Sequence, residues 1–170
     1  MTTDVAGPQA GSRVRPADAS RDTAGGESRV AAEFFAAKLR HETDPTDVVA
    51  ARAAGERLIL VDVRDATAWD QGHIPGAVHL PRAEILARLN ELPPVHEDPH
   101  LVVYCWGPGC NGSTKAALVL ARAGYRNVRE MIGGFEYWAR EGLSIVTATG
   151  RRRHPVDELT GPLPKEPVRD

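Results

Sequence analysis

The chain has 170 residues, with 21 Lys and Arg against 23 Asp and Glu, a formal charge of −2 at pH 7 and a pI near 6.3. That length, with 42% hydrophobic residues, supports one core and excludes two independent ones. The near-neutral balance lacks the broad positive field that nucleic acid or an anionic membrane surface demands, so neither is an expected partner.

Two cysteines, Cys105 and Cys110, cannot build a disulfide scaffold. Six histidines without paired cysteine spacing give no zinc site, and no metal or cofactor is expected. There is no 18-residue apolar window, and the N-terminal stretch has neither an apolar signal core nor an acid-free, Arg-rich character. A reducing, cytoplasmic setting is expected, where two close cysteines are chemical more often than structural.

Residues 1–27 mix Gly, Pro, Ser, Thr and charges with no apolar period and are expected to form a disordered arm. Ser28 is expected to cap a helix whose Ala31, Phe34, Phe35 and Leu39 share one stripe that must pack on something. Asp44 followed by Pro45, with Gly55 just past the end, bounds a second short helix. The runs LILVDV (58–63) and LVVYC (101–105) are unbroken and β-branched, the pattern of strands buried on both faces. Between them, GHIPGAVHL predicts a turn with a short strand, and PRAEILARLNEL a helix starting at Pro81. A Gly-rich loop follows Cys105. After it come the helix STKAALVLARAG, a short strand around Val128, a Gly133-Gly134 turn and the helix FEYWAREG. From Thr147 the composition of the arm returns, and four prolines exclude a continuous helix. Residues 147–170 are expected to be a flexible tail, its Arg151, Arg152, Arg153 and His154 a solvated charge run. Strands alternating with helices imply an α/β fold, a single three-layer domain over residues 28–146 with a mainly parallel central sheet.

In open sheets of this kind ligands collect beyond the carboxyl ends of the strands. Asp62 and Arg64 leave the first long strand there, and Cys105 leaves the second. Cys105 is followed by Trp106, Gly107, Pro108, Gly109, Cys110, Asn111 and Gly112, and a helix begins at Ser113 or Thr114. The glycines let backbone N–H groups turn inward and the helix N-terminus adds donors, which together make an anion cradle. A cysteine at its lip is expected to have a depressed pKa. Making thiolate the majority form at neutral pH takes about two units, or about 2.7 kcal/mol. A helix terminus alone supplies up to about 2 kcal/mol, so loop amides are needed as well.

The stretches LVDVRDATAWDQGHIPGAVHLP, VVYC opening a loop, and MIGGFEYWAREG, in that order, resemble the signatures of the rhodanese homology domain over residues 45–146. The resemblance implies a single-domain sulfurtransferase. Cys105 would attack the sulfane sulfur of a thiosulfate-like donor, become a persulfide, and pass sulfur to a thiol or cyanide acceptor. It implies a substrate loop of Trp106, Gly107, Gly109, Cys110, Asn111, Gly112, Ser113 and Thr114, braced by Asp62 and Arg64. The implied partners are a small sulfur-donor anion and a thiol acceptor, with a protein as one candidate acceptor. One departure matters: the stretch before Ser113 is eight residues instead of the family's usual six or so, and it carries no cation. A larger pocket, less suited to thiosulfate, follows. Phosphatases and arsenate reductases of the same fold place an arginine after the fifth residue beyond their cysteine, because a tetrahedral oxyanion needs a bidentate clamp. Position 111 is Asn, which argues against phosphoryl chemistry. The loop CWGPGCNG, with a helix ahead of the domain, resembles a long-loop subgroup of rhodanese-like proteins.

Cys110 has two readings: a small loop residue, or a resolving thiol that attacks an oxidised or sulfur-loaded Cys105. The alternatives to a sulfurtransferase are therefore a thiol redox protein using the Cys105–Cys110 pair, or a non-catalytic binding module on the same fold. Lys115 either attracts an anionic donor or is simply solvated. His73 is expected to make a structural hydrogen bond and His79 to pack on the sheet.

Overall fold

A run of β-branched residues with no polar alternation can be satisfied only in the middle of a sheet, and both such runs are found there. The structure, a computed structural model, describes residues 19–161. Its elements are α1 (Ala19–His41), β1 (Glu42–Thr43), α2 (Pro45–Ala53), β2 (Leu58–Asp62), α3 (Ala66–Gln71) and β3 (Val78–His79). These are followed by β4 (His100–Tyr104), α4 (Gly112–Arg122), β5 (Val128–Met131), α5 (Gly134–Arg140), β6 (Ile145–Thr147) and β7 (Gly150–Arg152). The five-stranded sheet has the order β1-β5-β4-β2-β3, and every pairing in it is parallel. β4 sits at its centre, with Leu101, Val102, Val103 and Tyr104 all buried.

Alternation along β2 and β4 divides the core in two. Val61, Val63, Leu101, Val103 and Cys105 face Ala116 and Leu120 of α4. Leu60, Val102 and Tyr104 face Val48 of α2 and Phe135 and Trp138 of α5. The second helix is bounded as expected. Asp44 accepts the Asp47 N–H at 2.8 Å, Pro45 opens the first turn, and Gly55 follows the cap with φ +82°.

Four expectations need correction. Helix α1 begins at Ala19, so Ser28 lies inside it and residues 19–27 are helical; propagating an existing helix costs little even through polar residues. The rest of the expected arm, residues 1–18, lies outside the described residues. Among the described residues, 19–36 belong to a unit of their own, in which Val30, Phe34 and Phe35 are exposed. The side chains of the expected stripe, Phe34, Phe35 and Leu39, are exposed.

The stretch from Pro81 to Leu92 forms two 3₁₀ turns, Ile85–Ala87 and Leu89–Glu91, where an α-helix was expected. Pro93 follows Leu92, whose extended conformation, φ −100° and ψ 153°, ends the helical stretch there. Ile85 and Leu92 still reach the core. Finally, residues 147–161 are ordered into the body instead of forming a tail. β6 and β7 make an antiparallel hairpin, and Val146 exchanges two backbone hydrogen bonds with His73, 2.8 and 3.0 Å. Asp157 then accepts a bond from Arg140 Nε at 2.7 Å. Proline forbids a helix there but not a short hairpin followed by a turn. Residues 162–170 lie outside the described residues. No described helix is long and apolar enough to cross a membrane.

The close approach of α5 to the loop after β4 depends on Gly134. Its φ is +56°, and a Cβ there would stand 2.6 Å from the Cys105 carbonyl oxygen and 3.1 Å from the Gly107 nitrogen. Replacing Gly134 with Ala is expected to destabilise the fold by about 2 kcal/mol or more, read as a lowered urea midpoint. Gly109, which faces open space, should accept Ala within about 0.5 kcal/mol.

Candidate active site

The parallel pairing of β2, β4 and β5 brings their carboxyl ends together and sets the candidate residues in place. Cys105 is the first residue past β4; it is only 3% exposed, yet its side chain helps to floor an open cleft of about 560 Å³. Gly107, Pro108, Cys110 and Ser113 line the same cleft from the loop and the first turn of α4. Asp44, Pro45 and Thr46 from the start of α2 form a wall, as do Glu130–Gly134 and Tyr137. Glu141 and Thr160 complete it.

The loop's hydrogen bonds are divided between two sulfur atoms. Ser113 Oγ lies 3.3 Å from Cys105 Sγ, and the Ser113 amide also points to that sulfur. The Cys105 thiol donates to the Cys110 carbonyl at 3.4 Å. The Gly112 amide, in contrast, donates to Cys110 Sγ at 3.4 Å, and the Trp106 amide favours the same thiolate. The Cys110 amide closes a turn onto the Gly107 carbonyl at 2.9 Å. A Cβ on Gly112 would lie 3.3 Å from Cys110 Sγ and 3.6 Å from Cys105 Sγ, so this glycine fits against both sulfurs.

The depressed Cys105 pKa expected from the loop is therefore not what the geometry produces. Burial pushes the Cys105 thiol up, the neighbouring Cys110 adds to this, and the Ser113 hydroxyl and amide offset only part of it. Cys110 is also raised by burial, but hydrogen bonds from Cys105 and from the Gly112 and Trp106 amides outweigh this and hold it below its ordinary value. The donors of the cradle exist, but two of its amides, those of Gly112 and Trp106, serve the second sulfur.

The remaining loop residues divide clearly. Trp106 is 39% exposed and packs its ring over the Arg64 guanidinium, 5.2 Å from the centroid. Asn111, Gly109 and Thr114 do not line the cleft. Asn111 precedes α4 without a side-chain capping bond, and its carbonyl accepts from Lys115 N at 3.1 Å. Lys115 is exposed and also lies off the cleft.

Asp62 and Arg64 form a buried pair beneath the loop, with side-chain exposures of 0% and 4%. Arg64 Nε and Nη2 donate to the Asp62 carboxylate at 2.9 and 2.6 Å, and Nη2 also reaches the Gly72 carbonyl at 2.7 Å. The guanidinium lies 4.2 Å from the Phe135 ring centroid and 5.7 Å from that of Tyr104. Its Nη1 has no hydrogen-bond partner and is enclosed with these rings. His73 bonds the Trp69 carbonyl through Nδ1 at 3.2 Å and stacks on the Trp69 ring, a structural role. His79 also stacks on the Trp69 ring, with Nε2 3.1 Å from the Arg64 carbonyl.

Sequence reasoning missed Glu130. Its Oε1 accepts from Ser113 Oγ at 2.8 Å and from Thr114 Oγ1 at 3.0 Å, which places a carboxylate one hydroxyl away from Cys105. The available signal was a charged residue near the carboxyl end of a strand that neighbours the cysteine's strand. The contributions of Asp44 and Glu141 from outside the loop carried no such signal. Burial raises Glu141, the Thr46 hydroxyl opposes this and Asp44 adds to it.

The chain matches the family described as the Rhodanese-like domain over residues 44–141. It is 36% identical over 110 residues to a protein of Allochromatium vinosum named sulfurtransferase, covering 65% of this chain and 98% of that one. It is 37% identical over 95 residues to the thiosulfate sulfurtransferase GlpE of Actinobacillus succinogenes, covering 56% of this chain and 81% of that protein. Among solved structures, the BH2092 protein from Bacillus halodurans superimposes with a TM-score of 0.64 at 39% identity. That match covers 72% of this chain and 88% of the other.

Two measurements check the geometry. Near neutral pH, limiting iodoacetamide followed by peptide mass mapping should label Cys110 before Cys105, because the thiolate is the reacting form and Cys110 holds more of it. Asp62→Asn leaves the Arg64 charge buried without a counter-ion, and should lower stability by about 3–5 kcal/mol in urea unfolding.

Proposed function

Because the chain belongs to the rhodanese-like domain family, we propose that it is a sulfurtransferase that moves a sulfane sulfur to a thiol or cyanide acceptor through a persulfide on Cys105. The observation that carries this reading is the position of Cys105: first residue after the central strand, at the floor of the cleft, its sulfur against the Ser113 hydroxyl and amide. The named relatives are sulfurtransferases, which supports the same reaction class.

In the first half-reaction Cys105 gives up its proton and the thiolate attacks the outer sulfur of the donor. The donor's sulfur–sulfur bond breaks, and the leaving group departs as sulfite or a thiolate with the electron pair. Cys105 then holds a persulfide, which the Ser113 amide stabilises. In the second, an acceptor thiolate or cyanide attacks the outer sulfur, and Cys105 leaves as thiolate. Asp62 and Arg64 serve by holding Trp106 and the start of the loop in place. A reducing cytoplasm, the proposed setting, keeps both thiols free.

The test is intact mass after exposure to a panel of sulfane donors. The protein should gain one sulfur and Cys105→Ala none; equal gain by both would overturn the assignment. The loading rate should also rise with pH through and beyond the ordinary thiol range of about 8.5, because burial raises Cys105. Since Cys110 contributes to that elevation, Cys110→Ser should move the alkaline limb to lower pH.

The packing of Gly112 against both sulfurs favours a second reading, a dithiol cycle. In it Cys110 attacks the inner sulfur of the loaded Cys105, forming a disulfide and expelling hydrosulfide. A loaded protein that releases one sulfide per chain without added thiol, losing two hydrogens relative to its reduced form, would establish it. Full turnover by Cys110→Ser would remove it.

A further inference from the structure

We propose that Glu130 selects the sulfur donor, favouring persulfides that carry an ammonium group near the reactive sulfur over inorganic oxyanions such as thiosulfate. This deepens the sulfurtransferase reading and rests on it.

The charge of the cleft carries the inference. Asp44, Glu130 and Glu141 line it, and none of its lining residues is Lys or Arg. None of these three carboxylates takes part in an ion pair among the described residues. Two arginines near the cleft are committed elsewhere, and Lys115 on α4 lies off it. Arg140 binds Glu136 and Asp157, at 2.9 and 2.7 Å, and Arg64 is sealed beneath Trp106 with Asp62.

Of the three acids, Glu130 stands nearest the chemistry. Ser113 Oγ bridges it to Cys105 Sγ, at 2.8 Å on one side and 3.3 Å on the other. A dianion delivering sulfur to Cys105 would meet this carboxylate with no Lys or Arg among the residues that line the cleft. A donor with an ammonium on a short linker places opposite charge against Glu130 while its persulfide reaches Cys105. Charged cleft walls of one sign shift encounter rates by about 10–10³-fold according to the sign of the ligand. The chemistry also balances without a further reagent: the thiolate takes the outer sulfur of R–S–SH, the S–S bond breaks, and the amine-bearing thiolate leaves.

The experiment compares three donors on the full, reduced chain: cysteamine persulfide, its neutral N-acetyl analogue and thiosulfate. The readout is the rate of sulfur gain on Cys105 by intact mass. The native protein should load about tenfold faster from cysteamine persulfide than from the N-acetyl analogue at low salt, with the gap closing as salt is added. Glu130→Gln keeps an oxygen for the Ser113 and Thr114 hydroxyls; it should abolish most of that preference and speed loading from thiosulfate by about tenfold. Equal rates for the two persulfides, a gap indifferent to salt, or a preference unchanged in Glu130→Gln would overturn the proposal while leaving the sulfurtransferase reading intact. Should Glu130→Gln fail to fold, the salt dependence of the native protein decides alone. Absence of loading from all three donors would instead remove the sulfurtransferase reading, and the selection with it.

Discussion

The carboxyl end of the central strand is where the molecule's backbone constraints converge. Strand β4 is buried on both faces, so the carbonyls that follow it must find partners inside the protein. Three consecutive ones do. Tyr104 O accepts from Val63 N at 3.1 Å, Cys105 O from Phe135 N at 3.0 Å, and Trp106 O from Glu136 N at 2.8 Å. One neighbour thus comes from the exit of β2 and two from the first turn of α5. This clamp fixes where the loop starts, and it explains why a glycine with positive φ stands at the beginning of α5: any side chain at Gly134 would push the clamp apart. The loop is free to vary only after Gly107, and there the glycines face either open space or the two sulfurs.

With its start fixed, the loop cannot direct every amide at one atom. Cys105 lies at the base, on the α4 side of the sheet, where burial works against ionisation. Cys110 lies further along, half-buried, where the chain has turned enough for the Gly112 amide to reach its sulfur. The site therefore holds two thiols of different character: one deep and reluctant to ionise, one shallower and readier. A deep thiol has a compensating advantage, since nucleophilicity of the thiolate rises with its pKa.

Much of this was legible in the sequence because it follows from patterns that local physics enforces. The double burial of β2 and β4, the Asp44-Pro45 cap, and the placement of Asp62, Arg64 and Cys105 at strand ends all follow from periodicity and turn chemistry. What escaped depends on partners distant in sequence. Nothing in the composition after Thr147 reveals that Val146 would pair with His73, or Asp157 with Arg140. The 3₁₀ turns near Ile85 escaped because the apolar spacing suits either kind of helix. The thiol pKa was misjudged in sign because counting glycines counts available donors, whereas the shift depends on which sulfur each donor faces and how deep that sulfur lies.

The same distinction between the presence of a group and its direction governs the electrostatics. The chain holds 21 Lys and Arg residues, and one of them, Arg64, lies directly beneath the active loop. Its charge nevertheless does little for the cleft. Asp62 takes two of its nitrogens, Gly72 shares one, and the third faces aromatic rings, with Trp106 between the guanidinium and the outside. Such a neutralised pair gives mechanical support at little cost in field, because its dipole is short and its charges cancel at the distance of the cleft. The carboxylates of Asp44, Glu130 and Glu141 come from three separate places in the chain and have no ion-pair partner among the described residues, so the charged side chains that line the cleft are all acidic. A cation in the loop itself would offset part of that charge next to Cys105. Its absence from the stretch between Cys105 and Ser113 is thus as much a part of the site's chemistry as the cysteine at its base.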